Sequence, residues 1–390
     1  MSPEDWSAVM TSSTVIHSAR IVDPDAVRSD SWIEIRGSRV WARGSGASWR
    51  RDASPDAVVV DARGSLMCAG FIDLHCHGGG GASVTTDIAT VLATHVLHGT
   101  TRLVASLVSA PIPELCVQLA ALARATAGDA RLIGSHLEGP FLEPAYRGAH
   151  DPAALQDATG DTIDALVDAA DGTLVQVTVA PERPGGREAI TALRERGVLV
   201  AVGHTAADGR QTQEALRSGA GLLTHAFNGM PGLHHRDPGP IMAAVNSLEC
   251  VLEVISDGSH VHPDMVHLLF RLAPGRVILV TDAMAAAGAG DGDYRLGSLD
   301  VCVRDGTARL ASGDSIAGST LTMDAALRHT VQECHIPLHE AVAAITSTPA
   351  RTLGRTDELG LLSPGRRADA VLLGRDLAVE AVWADGMRYR

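Results

Sequence analysis

Between residues 70 and 280 the hydrophobic positions come in short solid runs rather than in alternation. Eight runs are evident, at 70–76, 102–107, 132–137, 174–179, 198–202, 222–226, 251–255 and 277–280. Their length and Val/Ile/Leu content suit strands buried on both faces. Most are separated by Ala/Leu/Glu/Arg stretches with helical spacing, such as 88–97, 114–125, 163–169 and 187–196. Eight strand–helix repeats of parallel character predict an α/β fold, a TIM-type (β/α)8 barrel. Outside this middle the rhythm changes. Short strand-like runs at 15–16, 33–35, 40–41 and 58–60 alternate with Gly/Ser/Pro breaks, and the same texture returns at 369–373 and 379–383. The expectation is a small β-sandwich domain built from both chain ends, residues 14–64 and 356–390. The barrel then takes 65–355, with a β-hairpin insertion near 289–313, and residues 1–13 read as a flexible extension.

Composition narrows the picture. A chain of 390 residues holds one barrel of about 250 residues with appendages. Aromatics are only 3%, so the core must be aliphatic. The net charge of −14 argues against a nucleic-acid or anionic-membrane partner, yet leaves room for an anionic small molecule held by local Arg and His. Six scattered cysteines without a C-x-x-C pair read as reduced core thiols and a cytoplasmic setting. The opening MSPEDWSAVMTSST has no basic-then-apolar leader, and no apolar run is long enough to span a bilayer.

Candidate chemistry gathers where the strand runs stop. The stretch RLIGSHLEGPFLEPAYRGAH (131–150) places Glu138 at a strand end, just before the Gly139-Pro140 break. By itself that carboxylate is a metal ligand, an acid/base or a solvated strand end. The other ends carry His75-Cys76-His77, His204, His225, Asp257 with His260, and Asp282. In a barrel these ends meet on one face. Histidines and carboxylates converging there form the nitrogen/oxygen ligand set of a hydrolytic Zn²⁺-type site. An H-x-H pair on a strand sends both imidazoles to one side and Cys76 to the other. A lone pair of this kind is commonly incidental; ligand-type residues at six of eight ends are not. His136 shares the strand face of Glu138 and reads as ligand support or barrel packing.

Taken together, CAGFIDLHCHGGGG (68–81), GSHLEGPFLEPAYRGAH (134–150), VAVGHTAAD (200–208), LLTHAFNGMPGLHHRDPG (222–239), ISDGSHVHP (255–263) and ILVTDAMAAAG (278–288) resemble the N-acetylglucosamine-6-phosphate deacetylase family of the amidohydrolase superfamily. The resemblance runs from about residue 14 to the chain end. It implies hydrolysis of the acetamide of a phosphorylated amino sugar, in amino-sugar catabolism and cell-wall sugar recycling, by a homodimer. It makes Glu138, His204 and His225 the primary metal ligands, and His75 and His77 a second position bridged by Glu138. It implies one or two divalent ions, Zn²⁺ first, with Fe²⁺, Co²⁺, Mn²⁺ or Cd²⁺ as substitutes. Asp282 matches the catalytic acid/base and His150 the residue polarising the amide carbonyl. Asn228, Gly229, Arg236 and His260 match the substrate contacts, the arginine reaching the neighbouring subunit's site. Without the family match, His234-His235-Arg236 reads equally well as a solvated loop. Two departures stand out: Gly229 where alanine is usual, and Ala69 where proline is.

One compositional fact bears on this directly. All 32 basic residues are arginine, and there is no lysine. Hydantoinase- and dihydroorotase-type sites bridge two metals with a carboxylated lysine, which this chain cannot supply. Glu138 is left as the bridge. Alternatives to the acetyl-sugar reading are a deacylase for another N-acyl amino sugar and a barrel deaminase.

Overall fold

The computed structural model describes residues 13–390; the expected extension at 1–13 lies almost wholly outside that range. The middle of the chain forms eight parallel strands joined in strict sequence order: Phe71–Cys76, Thr100–Val108, Leu132–Glu138, Leu174–Val179, Leu199–Val202, Leu222–Leu223, Val251–Val254 and Val277–Leu279. They are called strands 1 to 8 below. All eight correspond to the expected runs. The ring closes where Asp282 N–H donates to the His75 carbonyl at 2.8 Å and Cys76 bridges Ala283 in parallel. Asp73 clamps the same seam, accepting from Thr281 Oγ1 at 2.6 Å and from Thr281 N at 3.2 Å. Aliphatic side chains such as Ile72, Leu103, Val177, Val200, Leu252 and Ile278 are fully buried around the ring, as a low-aromatic sequence requires.

Strand 6 is two residues long, shorter than its hydrophobic run. Thr224 N–H still donates to the Val202 carbonyl at 2.9 Å and Ala226 N–H to the Glu253 carbonyl at 2.7 Å, but between them His225 turns the chain with a positive φ of 25°. The same holds at His204 (φ 46°) and Asp282 (φ 48°). Non-glycine residues rarely occupy this region, and such strain collects at functional sites. Here each turn aims a side chain into the mouth of the barrel.

Both chain ends build one continuous sheet of eight strands. Its seam is the antiparallel pairing of Ala370–Leu373 with Leu66–Ala69, in register Ala370 to Ala69. Leu66–Ala69, expected at the start of the barrel, is thus a strand of the end sheet, and the chain crosses into the barrel at Gly70. The sheet has its own core of Ile16, Ile33, Met67, Leu372 and Trp383. Arg102 of strand 2 joins the two units. It is 1% exposed and forks onto Asp369 at 2.7 and 2.8 Å, with Asp385 at 2.8 Å.

The insertion is larger than the expected hairpin. It is a three-stranded antiparallel sheet of Gly292–Leu296, Leu299–Arg304 and Thr307–Leu310. A third strand follows because Leu296, Val301, Val303 and Ala308 need a common apolar face, which packs on Ala149 and Met284 beside the barrel mouth.

Candidate metal centre and active site

Glu138 is the hub of the barrel mouth. Its Oε1 lies 2.9 Å from His204 Nε2, 3.0 Å from His225 Nε2 and 3.5 Å from His75 Nε2. Its Oε2 lies 3.2 Å from both His77 Nε2 and His150 Nε2. The two H-x-H imidazoles point the same way, with their Nε2 atoms 3.1 Å apart. Asp282 Oδ1 completes the cluster at 3.2 Å from His77 and 3.5 Å from His75. Two groups whose donor atoms could hold a metal ion emerge, Glu138/His204/His225 and His75/His77/Glu138/Asp282, all buried. Cys76 faces away, with its sulfur 3.4 Å from His95 Nε2. The six cysteines form no disulfide among the described residues.

The outer nitrogens reveal what the cluster is for. His77 Nδ1 donates to the Ser106 carbonyl at 3.0 Å, and His204 Nδ1 to the Tyr146 carbonyl at 2.8 Å. A carbonyl only accepts, so each Nδ1 carries a proton, and in the neutral ring each Nε2 presents a lone pair. Those lone pairs face one another and the Glu138 oxygens. His204 and His225 are 3.1 Å apart at Nε2. Electron-rich atoms at this separation repel unless a cation or protons lie among them. Ligands about 2.1 Å from a tetrahedral metal sit roughly 3.4 Å apart, close to these spacings. The donor set therefore fits a divalent metal.

His150 differs in kind. Its Nδ1 accepts the Ser109 backbone N–H at 3.2 Å, so its proton sits on Nε2, aimed at the cluster. Burial holds its pKa down to about 4 against the pull of Glu138, so the ring is neutral and a donor. Burial also opposes the charge on Asp282, but His75 and His77 outweigh it and hold that carboxyl at about 2. For His77 burial works against protonation, yet Asp282 and Glu138 carry it up to about 9.

The pocket over the cluster has a volume of about 270 Å³. It gathers His77, Glu138, His150, His204, His225 and Asp282, with Asn228, Gly229 and His260 on one side. His75 lies beneath it, fully buried. His260 Nδ1 is held by Asp257 Oδ2 at 2.7 Å. Gly229 is tightly placed: at φ 59° an added Cβ would stand 2.9 Å from His204 Nδ1. Arg236 is not brought into this pocket; it lies exposed on its loop beside His234 and His235. His136 is packed inside the barrel, bonded to Ser106 Oγ and Thr178 Oγ1 at 2.9 Å each, with its ring edge on His75.

Sequence reading missed several contributors. Glu253, fully buried on strand 7, reaches His75 Nδ1 at 3.5 Å and accepts from His225 N at 3.4 Å and from Gln176 Nε2 at 2.9 Å. Its signal was an acid inside an otherwise apolar strand. Ser109, which orients His150, had no distinguishing signal. Leu296, Ser315 and Ile316 of the insertion line the pocket, and nothing local announced them. A larger groove of about 820 Å³ beside the insertion sheet touches none of the clustered side chains.

Residues 66–388 match the model of the amidohydrolase family. This chain belongs to that family. Among curated relatives, N-acetylgalactosamine-6-phosphate deacetylase of Escherichia coli O157:H7 is 39% identical over 84% of this chain and 89% of its own length. N-acetylglucosamine-6-phosphate deacetylase of Vibrio furnissii is 33% identical over 87% and 92%. Among solved structures, an N-acetyl-D-glucosamine-6-phosphate deacetylase mutant from Mycobacterium smegmatis, in complex with N-acetyl-D-glucosamine-6-phosphate, superposes with a TM-score of 0.91. It is 39% identical, over 97% of this chain and 99% of its own. The amidohydrolase superfamily is metal-dependent, in keeping with the cluster around Glu138.

Proposed function

We propose that this amidohydrolase cleaves the acetamide of N-acetyl-D-glucosamine 6-phosphate, giving D-glucosamine 6-phosphate and acetate. One observation carries the reading. A single pocket holds a lone-pair cluster around Glu138, an ionised Asp282 and a neutral Nε2–H donor on His150. Glu138, His204 and His225 would hold one divalent ion, Zn²⁺ first, and His75, His77 and Glu138 would form a second position. When bound, the metal supplies Lewis acidity, bringing the pKa of water to about 7. Asp282 takes a proton from the attacking water and returns it to the leaving amine nitrogen as the C–N bond breaks. His150 donates its Nε2–H to the carbonyl oxygen as negative charge grows there. Asn228, the Gly229 backbone and His260 hold the sugar. Arg236 serves the 6-phosphate of a second subunit in a homodimer, a role consistent with its exposure outside its own pocket. A sugar 6-phosphate is a charged intracellular metabolite, so the setting is cytoplasmic.

The 39%-identical galactosamine relative favours one second reading, the C4 epimer as substrate. Acetate release tests both. N-acetylglucosamine 6-phosphate should exceed its galactosamine epimer, and both should exceed unphosphorylated sugar. Asp282→Asn should lose about 10²–10⁴-fold in kcat. Full activity in that variant sinks the acid/base assignment. A preference for the galactosamine ester selects the second reading.

A further inference from the structure

A second cavity, of about 280 Å³, adjoins the pocket over the cluster. Two residues, His77 and Leu296, line both it and the pocket described above. The sugar contacts Asn228, Gly229 and His260 follow strands 6 and 7. The second cavity is built at the ends of strands 1 and 2, which lie across the ring from that side. Val84, Leu107, Val108, Ala110, Ala154 and Leu296 supply its apolar lining, with the buried Ser106 and Ser109 hydroxyls beside them. Glu114, Gln118 and Asp151 form its outer rim, where Ser298 Oγ donates to Asp151 Oδ2 at 3.0 Å.

An amide carbon is trigonal. If its nitrogen carries the sugar toward strands 6 and 7, its acyl substituent points the other way, past His77 toward strands 1 and 2. Ser109 ties this side to the chemistry, because it lines the second cavity and holds Nδ1 of His150. We propose that this cavity receives the acyl group, and that the enzyme cleaves N-acyl chains longer than acetyl. The assignment rests on the deacylase reading above. An acetyl methyl only reaches the entrance beside His77 and Leu296. The space and apolar walls beyond it suit three- and four-carbon acyl chains, each buried methylene favouring binding by about fourfold.

The test compares N-acetyl-, N-propionyl- and N-butyrylglucosamine 6-phosphate on the metal-loaded full chain. Wild type should cleave the butyryl substrate with a kcat/KM within about tenfold of the acetyl one; a closed acyl site discriminates by about 10–200-fold per methylene. Ala110→Leu and, separately, Gln118→Phe narrow the cavity without touching the catalytic groups. Each should lower butyryl cleavage by about tenfold or more and acetyl cleavage by less than about twofold. Wild type that cleaves only the acetyl substrate overturns the assignment. So do variants that slow both substrates equally. Failure on every substrate, acetyl included, removes the deacylase reading itself and this assignment with it.

Discussion

At the scale of single residues, the site is decided by which imidazole nitrogen carries the proton. His77 and His204 spend Nδ1–H on backbone carbonyls and turn lone pairs toward Glu138, while His150 does the reverse under the Ser109 N–H. Identical side chains thereby present a lone pair to the cluster in one case and a hydrogen-bond donor in the other. A pH dependence follows for the metal. In the metal-free protein His77 has its pKa raised to about 9, so it is protonated below that pH and must lose the proton to ligate. Metal uptake at pH 7–8 should release protons, and affinity should fall roughly tenfold per pH unit below about 9 for each proton displaced. Calorimetry in buffers of different ionisation enthalpy measures this; uptake without proton release refutes it. Glu253 extends the argument one layer outward. In Glu253→Leu no acceptor remains for His75 Nδ1–H or His225 N–H, so His75 loses its fixed tautomer. Metal affinity at the His75/His77 position should drop about 10–100-fold, read as metal content after dialysis, with the Glu138/His204/His225 position retained.

At the scale of elements, strands deliver the clustered side chains only because they stop at the right residue. Strand 3 ends at Glu138, and Gly139 turns the chain at φ 87°. A Cβ on Gly139 would collide with Ser109 Oγ, the hydroxyl bonded to His150 Nδ1. Gly139→Ala should therefore reduce kcat by about tenfold or more at saturating metal, because the collision displaces the hydroxyl that holds His150. An unchanged kcat at saturating metal would refute this coupling. Most of these elements were legible from hydrophobic runs, since a strand buried on both faces must be apolar along its length. The insertion was not. Its third strand, Thr307–Leu310, reads TARL, with too few apolar residues to register as a run. Strand 6 is shorter than its hydrophobic run because the backbone turns at His225 with a positive φ that hydrophobicity does not announce.

At the scale of the molecule, the barrel and the end sheet are fastened by Arg102, whose charge is buried against Asp369. Burial pushes the Asp369 carboxyl upward, against the pull of Arg102. Arg102→Met would leave that acid without its partner in the interior. The expected cost is about 3–5 kcal/mol of stability, visible as a lowered denaturation midpoint in a metal-saturated sample. A change below about 1 kcal/mol would show that water reaches Asp369 and that the link is weaker than its geometry implies.

The sequence by itself determined the eight-stranded barrel, the pairing of the two chain ends, and the histidines and carboxylates at the strand ends. Each is encoded locally, as a run, a break or a residue at a run's end. The tertiary structure alone decided which nitrogens face Glu138, that Glu253, Ser109 and Leu296 belong to the site, and that Arg236 stays outside its own pocket. Those outcomes depend on ring closure and loop packing, which bring together residues such as His75, Glu138 and Glu253 that no local pattern connects.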